Sequence, residues 1–96
     1  MSAFQELIQS GTPILVDFYA DWCGPCKAMT PVVQEVARIT KGNARVIKID
    51  IDKNPAAATK YNVRSVPTFM VFKNGEIVWR HSGTIDQMSL LKQLSI

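Results

Sequence analysis

The chain has little of what marks a secreted scaffold, a membrane protein or a nucleic-acid binder. Its 96 residues include two cysteines, one histidine and no apolar run near the roughly 20 residues of a membrane span. Two cysteines are too few for the multi-bridge framework of a small secreted domain. The opening MSAFQELIQSG has no basic segment ahead of an apolar one and carries Glu6 early, so it does not read as a secretory signal. The expectation is therefore a soluble cytoplasmic chain, in a compartment where thiols stay reduced, without membrane association. Eleven basic residues against eight acidic ones give a net charge of +3, but the basic residues are scattered. Nucleic acid needs them clustered on one face, so it is not an expected partner. Repeats, linkers and low-complexity stretches are also lacking. What is there, 47% hydrophobic and 20% charged, suits one modest core, and the length makes residues 1–96 a single domain.

The pattern along the chain alternates helix and strand. Ser2 and Gln5 form a capping-box pattern, Phe4, Leu7 and Ile8 share a helical face, and Gly11 ends that helix. ILVDFY (14–19) is apolar on both faces and suits a central, doubly covered strand. A long helix then runs from the segment C-G-P-C to Lys41-Gly42, with Pro25 in its first turn and Pro31 as an expected kink. RVIKIDI (45–51) alternates, placing Ile47, Ile49 and Ile51 on a buried face and Val46, Lys48 and Asp50 on a polar one. Asn54-Pro55 starts a short helix to about Tyr61. Asn74-Gly75 between TFMVF and EIVWR signals a hairpin. Asp86 caps a last helix with Met88, Leu91 and Leu94 at helical spacing. The β-α-β unit over 14–51 implies a right-handed parallel crossover, and the hairpin adds an antiparallel edge.

The two cysteines, Cys23 and Cys26, stand in W-C-G-P-C-K. A structural bridge gains little from closing so short a loop. A structural zinc site needs four ligands, and two cysteines with the distant His81 do not supply them within one chain. A reactive dithiol fits better. Cys23 falls where a strand ends and a helix begins, and helix N-termini stabilise a thiolate, so its pKa should lie below about 8.5. Cys26 is one turn further on the same face and should be the more sheltered of the two. That asymmetry suits thiol–disulfide exchange, with Cys23 attacking and Cys26 resolving. Asp17, in the middle of an apolar strand, is out of place unless it serves these sulfurs. Burial should raise its pKa and make it a candidate proton acceptor for Cys26.

W-C-G-P-C-K, its flanks ILVDFYADWCGPCKAMTPVV and the later VRSVPTFMVFKNGE closely resemble the thioredoxin family over about residues 7–95. The resemblance implies an α/β three-layer sandwich with a mixed four-stranded sheet flanked by helices, lacking the family's usual first β-strand. The strand at 45–51 then becomes a sheet edge, and the chain a monomer or a weak dimer through that edge. The implied activity is protein disulfide reduction, and Gly-Pro between the cysteines matches the reducing members. Lys48 corresponds to the lysine that neighbours the buried aspartate. Pro67 corresponds to a cis proline, with Val66 before it binding an extended substrate strand. Trp22, Gly24, Pro25, Val66, Pro67, Gly83 and Thr84 map onto the apolar docking surface for disulfide-containing proteins. No bound cofactor is implied; electrons would come from an external NADPH-dependent flavin reductase. Tyr19 stands where many members have tryptophan, and Ser82 is a more polar neighbour of Gly83 than usual. Two other readings remain at this stage: a binding or chaperone-like module using the same apolar face, and a zinc-bridged dimer.

Overall fold

A computed structural model describes residues 3–9 and 11–94. The elements are α1 (Ala3–Ile8), β1 (Ile14–Tyr19), α2 (Gly24–Thr40), β2 (Arg45–Asp50), α3 (Pro55–Lys60), β3 (Thr68–Lys73), β4 (Glu76–Ser82) and α4 (Gln87–Gln93). The four strands form one sheet in the order β2-β1-β3-β4. β1 runs parallel to β2 and antiparallel to β3, and β3 runs antiparallel to β4. Among the described residues β2 is thus an edge of the sheet, as the resemblance implied. Ser2 and the side chain of Phe4 lie outside the described residues.

Strand periodicity explains the layers. Successive side chains of β1 point to opposite faces. Leu15 joins Met29, Val33 and Val36 of α2 and Leu90 and Leu94 at α4 in one core. Ile14, Val16 and Phe18 join Ile8 of α1, with Ala57 of α3 packed alongside, in the other. Because both faces are covered, all of β1 but Tyr19 is buried, and Asp17 faces the α2 layer with Leu15.

Two sequence readings need correction. Of the polar face of β2 only Lys48 is exposed. Val46 packs against the α2 core, and Asp50 is 6% exposed, its carboxylate accepting the backbone N–H groups of Asp52 at 2.8 Å and Lys53 at 3.3 Å. The side chain turns inward because it satisfies the tight turn that follows the strand. In α4, Leu90 and Leu94 form the buried pair, four residues apart, whereas Met88 stands 71% exposed. The helix continues through Pro31, whose missing N–H leaves the Lys27 carbonyl without its helical partner. It ends at Thr40, with Lys41 as its C-cap before Gly42, which has a φ of +91°. Asn74 and Gly75 both have positive φ, which fits the hairpin turn read from the sequence.

Candidate active site

The site is built where β1 hands over to α2. The chain leaves the sheet at Ala20 and turns, the Cys23 N–H donating to the Ala20 carbonyl at 3.2 Å. Cys23 is the N-cap of α2, in extended backbone conformation, and its sulfur accepts the Cys26 N–H at 3.1 Å. Helix N-caps normally use oxygen for this contact; here sulfur takes its place. Pro25 fits the first turn because its absent N–H is not needed there. Cys23 and Cys26 are joined as a disulfide, with Cα atoms 5.2 Å apart.

The expected contrast between an exposed and a sheltered thiol is absent. Cys23 is 3% exposed and Cys26 is 7% exposed. The partly buried Tyr19, Ile51 and Val66 pack against the pair, while Trp22, Gly24 and Pro25 beside it in the chain are exposed. The asymmetry lies in surroundings. Cys23 receives the helix-end N–H and lies 3.6 Å from the Val66 carbonyl oxygen. Cys26 faces a cleft of about 120 Å³ shared with Tyr19, Thr30 and Lys48.

Asp17 is 3% exposed, and among the described residues its Oδ1 has no hydrogen-bond partner. Burial pushes its pKa up to about 6, against an opposing pull from the Lys48 ammonium. The two residues are register partners across β1 and β2. The Lys48 Nζ lies over the Tyr19 ring, 4.5 Å from its centroid. A tyrosine at this position therefore offers the lysine an aromatic face beside the cleft.

The second wall comes from the other half of the sheet. The Val66–Pro67 peptide is cis. The Pro67 carbonyl accepts the Gly83 N–H at 2.8 Å, which holds the end of β4, with Thr84 following it, beside the proline loop. Ser82 turns its hydroxyl toward Thr68, Oγ to Oγ1 at 3.2 Å. His81 stacks on Trp79, ring centroids 6.0 Å apart, and its Nε2 lies 3.1 Å from the Thr84 carbonyl oxygen. Among the described residues no three His, Cys, Asp or Glu side chains gather in a metal-binding group.

Sequence reasoning missed two supporting residues. Asp52 accepts the Trp22 indole N–H at 2.8 Å and so fixes an indole that is 69% exposed. The D-x-D spacing at the end of β2, Asp50 to Asp52, is a faint signal for it. Arg80 donates to the carbonyls of Tyr61 and Asn62 and ties β4 to the end of α3. An arginine on an edge strand gives no such hint.

A disulfide-forming cysteine pair at a helix N-terminus, walled by a proline loop on a β-α-β and hairpin scaffold, defines a thiol–disulfide exchange protein. The thioredoxin family model matches residues 1–95. A thioredoxin of Rickettsia felis is 50% identical over 72 residues, covering 75% of this chain and 69% of the relative. Thioredoxin 1 of Nostoc sp. is 43% identical over 90 residues, covering 94% of this chain and 84% of its own. Among solved structures, a mutant thioredoxin from Halobacterium salinarum superposes with a TM-score of 0.89 at 39% identity, covering 99% of this chain and 82% of that one. Oxidised mitochondrial thioredoxin 3 from Saccharomyces cerevisiae gives 0.86 at 33% identity, covering 96% and 85%. The chain belongs to the thioredoxin family and is a thiol–disulfide oxidoreductase with Cys23 and Cys26 as its redox pair.

Proposed function

We propose that the chain reduces disulfides in other proteins by a two-step exchange. The observation that carries the assignment of roles is the Cys26 N–H donated to the Cys23 sulfur at the start of α2. That contact and the helix end favour a thiolate on Cys23 once the pair is reduced. The Cys23 thiolate attacks one sulfur of the substrate bridge and releases the other as a thiolate. Cys26 then gives up its proton and attacks Cys23, freeing the second substrate thiolate and forming the Cys23–Cys26 disulfide. Two electrons pass from the dithiol to the substrate. Asp17 is the proton acceptor in the second step. Its raised pKa and unpartnered oxygen support this, and Lys48 tunes its charge.

Val66 and Pro67 clamp an extended substrate segment, while Trp22, Gly24, Pro25, Gly83 and Thr84 form the surface around it. An external NADPH-dependent flavin reductase returns the electrons, and the protein itself binds no cofactor. A dithiol that must be kept reduced fits the cytoplasm. The chain works as a monomer or a weak dimer through the edge at 45–51. No helix among the described residues is long and apolar enough to cross a membrane.

The roles are tested with insulin as substrate. Cys26→Ser should accumulate a mixed disulfide through Cys23, visible by mass spectrometry, while Cys23→Ser should reduce nothing above background. A mixed disulfide trapped through Cys26 by the Cys23→Ser protein would reverse the assignment.

A further inference from the structure

Leu15, Asp17 and Tyr19 alternate along β1 and share its α2 face. Lys48 is the register partner of Asp17, so its flexible stem begins beside the buried carboxyl. The stem ends elsewhere, with Nζ 4.5 Å from the centroid of the Tyr19 ring. Among the described residues Lys48 makes no ion pair with Asp17, whose Oδ1 has no hydrogen-bond partner.

Two resting places compete for this ammonium. Beside Asp17 it would meet an opposite charge but leave water, because the carboxyl is 3% exposed. Over the ring it gains the attraction of the aromatic face and keeps its hydration, since Lys48 is exposed. Tyr19 is itself held at the redox centre, packed against Ala20, Cys23 and Cys26. It lines the cleft of about 120 Å³ with Cys26 and Lys48. Other charges at this corner are few. Asp21, in the turn after β1, and Lys27 of α2 also line the cleft, and Cys26 and Tyr19 are its remaining titratable groups. Phe69, the β3 register partner of Asp17, carries no charge. Of the charged groups, Lys48 is the one that pulls on Asp17.

We infer that Tyr19 is a positioning residue of the exchange reaction: its ring holds the Lys48 ammonium off the Asp17 carboxyl. Without the ring the stem settles beside the carboxylate, and an adjacent ammonium makes that carboxylate a weaker base toward the Cys26 proton. The inference rests on the reading of Asp17 as proton acceptor and adds the residue that keeps it competent.

The test follows the Asp17 carboxyl carbon by NMR in the oxidised protein, where the cysteines do not titrate. The unmodified chain should show a midpoint of about 6. Tyr19→Leu removes the ring but keeps apolar bulk, and its midpoint should fall by about one pH unit as the lysine moves in. Tyr19→Phe keeps the aromatic face and should leave the midpoint in place. With Lys48→Met already present, Tyr19→Leu should move nothing, as a double-mutant cycle requires of an effect carried by the lysine. An unmoved midpoint in Tyr19→Leu, or an equal fall in the Lys48→Met background, overturns the inference. If Tyr19→Leu does not fold, the unmodified chain decides. Its Lys48 ε-methylene protons should lie upfield, through the ring current, at pH values on both sides of the midpoint; the usual lysine position overturns the inference. In stopped-flow resolution of a mixed disulfide, the acid limb should move with the midpoint in Tyr19→Leu. A limb that survives Asp17→Asn overturns the proton-acceptor reading and the inference with it, whereas a failed titration with that limb lost overturns the inference alone.

Discussion

Asp17 and Lys48 stand opposite each other across β1 and β2, yet the lysine ammonium rests over the ring of Tyr19 and forms no ion pair with the carboxylate. Asp17 is left buried, with a pKa of about 6 set first by desolvation and moderated by Lys48. A carboxyl group whose folded-state pKa exceeds its ordinary value of 3.8 destabilises the fold where it is ionised. Stability should therefore rise as pH falls from about 6 toward about 4. Asp17→Asn should stabilise the protein by about 2–3 kcal/mol at neutral pH and above, from roughly 1.4 kcal/mol per pKa unit. The advantage should vanish below about pH 4. Urea unfolding at a series of pH values measures it, and a pH-independent difference would show that the charge is not its cause. The same variant should lose the limb near pH 6 from the pH profile of mixed-disulfide resolution.

The indole of Trp22 is held by one carboxylate, Asp52. Asp52→Ala should raise KM for insulin by a factor of about 2–10, the range expected for one net hydrogen bond. It should leave the rate with a small aromatic disulfide unchanged, since that substrate needs little docking surface. Steady-state kinetics with both substrates separate the effects.

Leu90 is fully buried between α4 and α2. Leu90→Ala should cost about 2–4 kcal/mol in urea unfolding, the usual range for a core leucine. The lesion lies in the α2/α4 core, so the exchange rate per folded molecule should hold.

Gly83 and Gly75 both have positive φ, +97° and +82°. A methyl group on Gly83 would meet nothing within 4 Å, whereas one on Gly75 would sit 3.0 Å from Gln9 Cγ. Gly83→Ala should therefore carry only the conformational cost of about 1–2 kcal/mol. Gly75→Ala should cost slightly more, because the exposed Gln9 side chain must also give way by a few tenths of an ångström. Thermal unfolding of the pair checks the order.

Much of this was legible in the sequence because it was written in local pattern. The apolar run at 14–19, the Asn74-Gly75 turn and the Asp86 cap each announced an element through their own residues. The Asp86 carboxylate does accept the Ser89 N–H at 3.0 Å. The cysteine pair was legible for the same reason, since spacing and the strand-to-helix junction lie within one short stretch. What escaped depends on residues distant in the chain. The shielding of Cys23 involves Val66, and Asp52 reaches Trp22 across 30 positions. Asp50 looked like a solvated strand residue because the turn it satisfies begins only after the strand ends. The cis form of Pro67 was not readable from its neighbours at all; only the family resemblance pointed to it.

The sheet is joined from two halves, β1–α2–β2 and β3–β4–α4, which meet along the β1–β3 ladder. The cysteines, Asp17 and Lys48 belong to the first half, whereas Val66, Pro67, Gly83 and Thr84 sit at the ends of strands in the second. A chain that has formed only its first half holds both sulfurs with one wall missing. Closure of the β1–β3 seam thus sets the substrate wall against sulfurs that the first half already positions, so nucleophile and wall answer to separate ladders.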